Sequence, residues 1–328
     1  MIIPGLDAAA IKRQAHVLGF DLCGIAPAVG LPDLASYQEW VARGYAGTME
    51  YLTRSVADRC DVQRVAPWAR SVVVTGTVYN TARPYSVESA DAGRADISRY
   101  AWGDDYHVAV GTRLEALGDW MCDCASACGD EVQVRSYVDT GPIHERALGR
   151  LAGLGWVGKH TLLINPKLGS WLFLGVVLCS ASLEPDEPGF DQCGTCTLCL
   201  EACPTQAFPQ PGVLDATRCV SYLTIEHRGP IPAALEPGIG RHVYGCDVCQ
   251  EVCPWNAHPP VSDDPAWQPR PAWDRPALTT LAQMSDEAMR GALRGSAMKR
   301  TKLAGLRRNI EVVRRNTTVD SSRPGDVS

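Results

Sequence analysis

Eight cysteines between residues 193 and 253 have the spacing that binds iron–sulfur clusters. The first four follow the pattern C-x2-C-x2-C-x3-C with a proline after the last, which is typical of bacterial ferredoxins with two clusters. The last three follow C-x2-C-x3-C-P, and Cys219 replaces the thiol that this second run lacks. We therefore predict two [4Fe-4S] clusters, each held by four thiolates.

In ferredoxins of this kind the fourth cysteine of each run ligates the cluster of the other run. By this rule the ligands of cluster one are Cys193, Cys196, Cys199 and Cys253. The ligands of cluster two are Cys203, Cys219, Cys246 and Cys249. Zinc ribbons and disulfides are the alternatives, but zinc sites usually pair two C-x2-C units without a third cysteine. The other cysteines lack this spacing and are predicted to be buried or unreactive thiols: Cys23, Cys60, Cys122, Cys124, Cys128 and Cys179.

The composition indicates an ordinary globular protein. The chain has 328 residues, of which 45% are hydrophobic and 21% charged, and this length allows two or three domains. It contains no apolar run of about 18 residues and no basic leader at the N-terminus, so we predict no membrane span and no export. Fourteen cysteines without an export signal favour the reducing cytoplasm.

Charge is distributed unevenly. The net charge is -6, yet residues 290–315 contain nine lysines and arginines and a single acid, Glu311. This basic segment predicts contact with a polyanion, and the alternative is a solvated helix face.

Periodicity and turn residues place these side chains on elements. We predict strands at 20–26, 71–79, 131–138 and 170–179. We predict helices at 5–19, 105–127 and 142–153, and one or two more within 286–315. The fold class is then α+β, with a mixed α/β domain at 1–185 and a ferredoxin-like double-cluster domain at 186–257. A C-terminal segment at 258–328 would add an extended wrap and basic helices, with disorder from about residue 317.

Two clusters close together form an electron path, and the α/β domain is the part large enough to enclose its terminal acceptor. The segment Gly153–Gly158 matches G-x-G-x-x-G, but it follows a predicted helix instead of a strand. We therefore interpret it as a tight loop, not a dinucleotide site. Lys159 and His160 follow it and offer donors to a bound anion or substrate.

Several separated motifs resemble those of the epoxyqueuosine reductases. The resemblance covers about residues 5–315 and includes the paired cysteine runs. Its other motifs are RYAWGDDYH at 99–107, YVDTGP at 137–142, GLGWVGKHTLLI at 153–164, GSW at 169–171, GSAMKR at 295–300 and LRRN at 306–309. The resemblance implies a cobalamin and iron–sulfur enzyme that reduces epoxyqueuosine to queuosine at the wobble position of tRNA. It also implies that the α/β domain is like the corrinoid domain of reductive dehalogenases.

The resemblance gives Asp139 the role of proton donor to the departing epoxide oxygen. We expect burial against the corrin to raise the pKa of Asp139, because a carboxyl group must be protonated to donate. The alternative is that Asp139 only caps the helix that begins near Pro142. His107 is interpreted as a hydrogen-bonded structural residue.

Further sites are implied by the resemblance or by position near the clusters. Candidate cofactor contacts are Arg59, Tyr100, Asp139, Lys159, His160, Leu163, Ser221 and Glu226. Candidate tRNA contacts are Arg228, Lys299, Arg300, Lys302, Arg307 and Arg308. The expected partners are a tRNA with a GUN anticodon and a flavodoxin- or ferredoxin-type electron donor, acting on a monomer. Two other hypotheses stay open: a corrinoid reductase of a small molecule, and a ferredoxin-type electron-transfer module.

Overall fold

A computed structural model describes residues 6–31, 34–89, 91 and 93–320. The strands are β1 (Leu22–Pro27), β2 (Ser71–Val78), β3 (Asp96–Ile97), β4 (Val134–Tyr137), β5 (Trp156–Val157), β6 (Leu163–Ile164), β7 (Leu172–Cys179) and β8 (His242–Tyr244). The helices of the first half are α1 (Ala8–Val17), α2 (Leu34–Ala42), α3 (Glu50–Thr53), α4 (Val56–Arg59), α5 (Val62–Val65), α6 (Tyr106–Ala127) and α7 (Glu145–Leu151). Those of the second half are α8 (Leu198–Glu201), α9 (Val220–Ile225), α10 (Glu236–Ile239), α11 (Val248–Glu251), α12 (Leu278–Gln283), α13 (Asp286–Leu293) and α14 (Lys302–Asp320).

The N-terminal half is built on an antiparallel sheet with the strand order β1-β2-β7-β4. Every residue of β2 is buried because helices cover both faces of the sheet. Val73 belongs to the core that contains Leu114 of α6, whereas Val72 and Val74 belong to the core that contains Leu148 of α7. Burial on both faces explains why this strand is a continuous β-branched run and does not alternate with polar residues.

The α+β fold class and the main predicted elements are confirmed, although the ends of several elements are shifted by a few residues. The helix predicted from Pro142 begins at Glu145, and residues 139–143 form turns instead. The C-terminal helix α14 continues to Asp320, beyond the predicted start of disorder at about residue 317. The rest of that predicted tail, residues 321–328, lies outside the described residues.

One hydrophobic core joins all three of the predicted segments. β3, from the N-terminal half, pairs in parallel with β8, which immediately precedes the last three cysteines. Ile97, Tyr244 and Trp273 pack in this core together with Met298 and Val313 from the C-terminal segment. The Trp-containing wrap is therefore an anchored part of the cluster-binding half.

No helix within the described residues is both long enough and apolar enough to cross a lipid bilayer.

Helix α14 is fastened to this core by Asn309, whose side chain is fully buried. Its amide donates to the carbonyls of Thr224 at 2.7 Å and Val243 at 2.9 Å. We expect Asn309→Ala to lower the free energy of unfolding by about 2–4 kcal/mol, because each buried carbonyl left without a donor costs about 1–3 kcal/mol. Thermal unfolding followed by circular dichroism would measure it.

The matched control is Glu311→Ala, two residues further along the same helix and exposed. We expect this surface change to alter stability by about 0.5 kcal/mol or less. Equal losses in the two variants would contradict a role for the Asn309 amide.

Candidate active site and metal centres

The four thiols assigned to cluster one line a common cavity. Its lining residues are Lys159, His160, Ile164, Cys193, Cys196, Cys199, Cys253, Pro254 and Trp255. The indole Nε1 of Trp156 donates to the Cys193 sulfur at 3.4 Å. Lys159 stabilises the ligand loop, since its ammonium donates to the carbonyls of Gly194 at 2.7 Å and Cys196 at 2.8 Å.

The four thiols assigned to cluster two also lie together. Burial raises the pKa of Cys219, and the nearby Cys203 raises it further. Burial raises the pKa values of Cys246 and Cys249 well above the ordinary value. The nearby Cys249 raises that of Cys246 further, and Cys219 raises that of Cys249. Ser221 accepts from the Cys246 backbone N–H at 3.1 Å and so fixes this loop.

The structure thus brings the eight cysteines into the two groups that the crossing rule predicts. Within the described residues, no three Cys, His, Asp or Glu side chains converge as they would around one metal ion.

Among the cysteines outside these groups, burial raises the pKa of Cys23 to about 12 and of Cys179 to about 11. A raised pKa disfavours the thiolate, which is the reactive form, at neutral pH. Cys128 is exposed, so of the two predicted states, buried or unreactive, the first does not apply to it.

Asp139 follows β4 on a turn with a positive φ of 58°. Its backbone N–H donates to Glu145 Oε1 at 2.6 Å, and this bond holds the turn. Its carboxylate Oδ2 accepts from the Tyr106 hydroxyl at 2.8 Å and lies 3.4 Å from His107 Nε2. The N-cap residue of α7 is His144, so the interpretation of Asp139 as a helix cap is wrong.

The electrostatics of this group differ from the expectation. Burial raises the pKa of Asp139, but hydrogen bonds from His107 and Tyr106 outweigh it, and the net pKa is lowered. The expectation of a raised pKa concerned burial against a corrin, and it stays a prediction for that state. Burial lowers the pKa of His107, whereas the bonds to Asp105 and Asp139 raise it to about 9. Burial and the charge of Asp139 raise the pKa of Glu145 to about 8.

At neutral pH the site therefore holds an anionic Asp139 beside a cationic His107 and a neutral Glu145. The structural interpretation of His107 is incomplete, because Nδ1 meets the Asp105 carboxylate at 2.7 Å while Nε2 faces Asp139. Sequence reasoning gave no chemical role to Tyr106, His107 or Glu145. The first two lie inside the RYAWGDDYH motif, which was the available signal.

Asp139 lies in a concave part of the surface. Its side chain is 62% exposed and Arg146 is also exposed, although protein surrounds both groups on most sides. Arg146 donates to the carbonyl of Thr161 at 2.5 Å, which brings α7 to the segment that follows the glycine loop. Side chains that are exposed to solvent and yet have protein on most sides indicate a concave site, which we call the cleft.

A row of tyrosines connects Asp139 to the loop of cluster two. Tyr106, which donates to Asp139, meets Tyr100 edge-on with ring centroids 5.9 Å apart. The Tyr100 hydroxyl donates to the Tyr244 hydroxyl at 3.0 Å, and Cys246 follows two residues later. The cleft and the cluster-two thiols are therefore neighbours in the fold.

The remaining cofactor candidates fall into different surroundings. Arg59 is buried and donates to Ser55 Oγ at 3.0 Å, but it makes no ion pair with any described carboxylate. His160 is buried, and its Nε2 has no hydrogen-bond partner among the described residues. Leu163 packs in the core beside α7. Glu226 forms an ion pair with Arg300 at 2.8 Å.

The basic segment separates into two kinds of side chain. The guanidiniums of Arg228, Arg307 and Arg308 donate to main-chain carbonyls, including that of Leu223, and hold α14 in place. This structural role was not predicted.

Three of the predicted basic residues are open to solvent. Lys299 is 62% exposed while pairing with Asp105 at 2.5 Å. Arg300 lies 5.4 Å above the ring of Tyr51, which is itself 45% exposed. Lys302 is exposed.

Comparisons with known proteins agree with these features. The family model described as "Epoxyqueuosine reductase QueG, DUF1730" matches residues 59–140. The model of a 4Fe-4S double cluster binding domain matches residues 192–256, which include all eight grouped cysteines.

Individual relatives extend the likeness along the chain. An epoxyqueuosine reductase of Gloeobacter violaceus is 42% identical over 312 residues, covering 92% of this chain and 94% of that protein. The crystal structure of an epoxyqueuosine reductase with a tRNA-Tyr epoxyqueuosine-modified stem loop matches with a TM-score of 0.83 at 28% identity, over 96% of this chain and 82% of that one. The Bacillus subtilis enzyme, with its catalytic loop swung out of the active site, also matches with a TM-score of 0.83 at 27% identity, over 95% and 82%. This chain belongs to the epoxyqueuosine reductase family, and it contains a double [4Fe-4S] domain.

Proposed function

We propose that this chain reduces epoxyqueuosine to queuosine at the wobble position of a tRNA with a GUN anticodon. The observation that carries the proposal is the Asp139–His107 pair, set in the cleft and joined by a row of tyrosines to the cluster-two loop. Removal of the epoxide oxygen to leave an alkene consumes two electrons and two protons. Family membership supports the substrate, and the cleft supplies both the space and the proton donors.

The eight grouped cysteines are the proposed cluster ligands. Cys193, Cys196, Cys199 and Cys253 would hold cluster one, and Cys203, Cys219, Cys246 and Cys249 would hold cluster two. The clusters supply electrons one at a time. A flavodoxin- or ferredoxin-type carrier in the cytoplasm is the proposed source of those electrons.

The cleft also fits cobalamin. Two buried polar side chains support this fit: Arg59 donates to Ser55 Oγ but forms no ion pair with a described carboxylate, and His160 Nε2 has no hydrogen-bond partner among the described residues. A corrin bears amide side chains that can satisfy such groups. The residues that would hold it are Arg59, Tyr100, Asp139, Lys159, His160, Leu163, Ser221 and Glu226. When bound, cobalamin supplies a cobalt centre that is strongly nucleophilic toward carbon.

Proton delivery is assigned to the chain itself. The Asp139 carboxyl group transfers the proton to the departing oxygen, in the role of general acid. Because the pKa of Asp139 is lowered, its proton must come from a neighbour, and the cationic His107 is 3.4 Å away. Tyr106 orients the same carboxylate. Glu145 holds the turn by accepting the Asp139 N–H.

The tRNA is proposed to approach along Lys299, Arg300 and Lys302, because these basic side chains stay open to solvent. Tyr51 offers an aromatic face for an unpaired loop base. The other predicted basic residues, Arg228, Arg307 and Arg308, contribute by holding the helix that carries this surface.

The proposed function is tested with cluster- and cobalamin-loaded protein and an anticodon stem-loop bearing epoxyqueuosine, with queuosine quantified by mass spectrometry. We expect Asp139→Asn to fold, to retain both kinds of cofactor and to lose about 10²–10⁴-fold in kcat, the usual contribution of a general acid. Asp119→Asn, an exposed position on α6, is the matched control. Failure of the unaltered protein to form queuosine would overturn the proposal, and normal turnover by Asp139→Asn would remove Asp139 from the chemistry.

The pH dependence follows from His107. Its imidazolium is present below a pKa of about 9 and is lost as the pH rises through that value, so we expect kcat/KM to fall on the alkaline side of about 9. His107→Gln should lower the rate and abolish this alkaline limb. The pKa of Glu145 is about 8, so its ionisation falls in a similar pH range to that of His107. Glu145→Gln removes this ionisation and should keep the alkaline limb at about 9. The same limb in His107→Gln would contradict the assignment.

The crossed ligand assignment predicts selective cluster loss. Cys219→Ser should reduce the iron content from about eight to about four atoms per chain by removing cluster two. Cys253→Ser should do the same by removing cluster one, and the two variants should have distinct electron paramagnetic resonance spectra. Cys128→Ser, at an exposed thiol outside both groups, should keep all the iron. Full iron content in Cys219→Ser would show that this residue is not a ligand.

A further inference from the structure

The indole of Trp156 reaches a proposed cluster ligand from a strand of the N-terminal half. Trp156 is 1% exposed, and its Nε1–H donates to the Cys193 sulfur at 3.4 Å. An indole N–H can only donate, and a buried one usually finds an acceptor. A cysteine sulfur that binds iron keeps lone pairs that can accept such a bond, so the contact is compatible with a bound cluster.

Burial alone does not account for the direction of this N–H. Trp267 is 3% exposed, and its Nε1 has no hydrogen-bond partner among the described residues. The same is true of the fully buried Trp273. The fold therefore contains buried indoles without an acceptor, whereas the indole of Trp156 is directed at a proposed ligand.

Neighbouring residues fix the orientation of the Trp156 ring. Trp156 pairs with Ile164 between β5 and β6, and both residues pack with Cys253, another proposed ligand of cluster one. The Trp255 ring meets the indole edge-on, with centroids 4.9 Å apart. Gly155 has a φ of 153°, and an added Cβ there would stand 1.9 Å from the Ile164 carbonyl oxygen, so the two strands approach closely. The indole is thus held against the wall of the cluster-one cavity.

A hydrogen bond to a ligand sulfur changes the electron affinity of a cluster. The cluster becomes more negative when it gains an electron, and part of the added charge lies on its sulfurs. A donor to these sulfurs therefore stabilises the reduced form more than the oxidised form, which raises the reduction potential. The effect is larger where protein excludes water, because the local dielectric constant is low.

Resting on the proposed function, we propose that Trp156 raises the reduction potential of cluster one through its hydrogen bond to Cys193. Trp156 touches neither the substrate nor the reacting atoms, so it is a positioning residue that acts through a ligand. The bond makes cluster one easier to reduce by the flavodoxin- or ferredoxin-type donor. It also gives a role to the loop of residues 153–158, whose sequence predicted only a tight turn.

The test is a potentiometric titration of the two-cluster protein, followed by electron paramagnetic resonance. Trp156→Phe removes the N–H but keeps an aromatic ring beside the cavity, so water stays excluded. We expect the midpoint potential of one cluster to become more negative and that of the other to stay. At the midpoint of the unaltered cluster one, the ratio of reduced to oxidised cluster should fall about threefold, or about 28 mV for a one-electron couple. The unshifted cluster should have the spectrum that remains in Cys253→Ser.

Trp267→Phe is the matched control. It shortens another buried indole, but this N–H has no described acceptor, and the surrounding core contains none of the eight proposed ligands. We expect both midpoint potentials to stay unchanged in this variant.

A second measurement detects the bond directly. In protein labelled with nitrogen-15 tryptophan and then reduced, pulsed electron paramagnetic resonance should show a hyperfine coupling between cluster one and an indole nitrogen. Trp156→Phe should lack this coupling, and Trp267→Phe should keep it.

Three results would overturn the role of Trp156: an unchanged potential in Trp156→Phe, an equal shift in Trp267→Phe, or no indole coupling in the unaltered protein. The last of these decides even if Trp156→Phe fails to fold. Iron content and queuosine formation by the unaltered protein test the proposed function separately. A protein that holds both clusters and forms queuosine, yet gives one of these three results, retains its function and loses only this assignment.

Discussion

A buried carboxylate, Asp247, joins the redox half of the molecule to the catalytic cleft. It lies between two of the cluster-two cysteines, accepts the Ser98 hydroxyl with one oxygen and accepts the Arg99 backbone N–H at 2.6 Å with the other. These bonds fix the start of the segment that leads through Tyr100 to Tyr106 and His107. A buried carboxylate costs free energy unless its oxygens accept hydrogen bonds. A shift of the segment would break the bonds to Asp247 and incur that cost, so the segment is held in place. The separation between the electron-carrying loop and the proton donors is thereby set.

The same argument applies to the other side of the cleft. Asp105 caps α6 through the His107 N–H, bonds the imidazole Nδ1 at 2.7 Å and accepts Lys299 at 2.5 Å. One carboxylate thus orients the imidazole, begins the helix and attaches the C-terminal segment. Bonds to His107 are the main reason that the pKa of Asp105 is lowered far below its ordinary range. A change in the basic segment is therefore expected to reach the active site through Lys299.

A feature of this protein could be predicted from the sequence when it depends on residues that are close together in the chain. Ligand spacing is a local property, so the two groups of thiols could be predicted from residues 193–253 alone. The β-branched run of β2 and the cap at Asp105 are local as well. The partners of Asp139 are not, because Tyr106 and Glu145 meet it only after the sheet and two helices have packed. Basic charge alone was also ambiguous: Arg308 has the same charge as Arg300, yet its guanidinium donates to the carbonyls of Leu223, His227 and Gly229 instead of facing solvent.

The protonation state of the site is compatible with acid catalysis despite the lowered pKa of Asp139. A carboxylate that is stabilised by an imidazolium is a poor acid in isolation, but the pair stores one proton that either member can release. Glu145 stays neutral at pH 7 because burial and the charge of Asp139 both oppose its ionisation, so the anion in the site is confined to Asp139. When a large ligand displaces water from the cleft, desolvation disfavours the separated charges and moves the shared proton toward the carboxylate. Asp139 is then protonated when the cleft is filled, whereas in the open cleft Asp139 and His107 remain an ion pair.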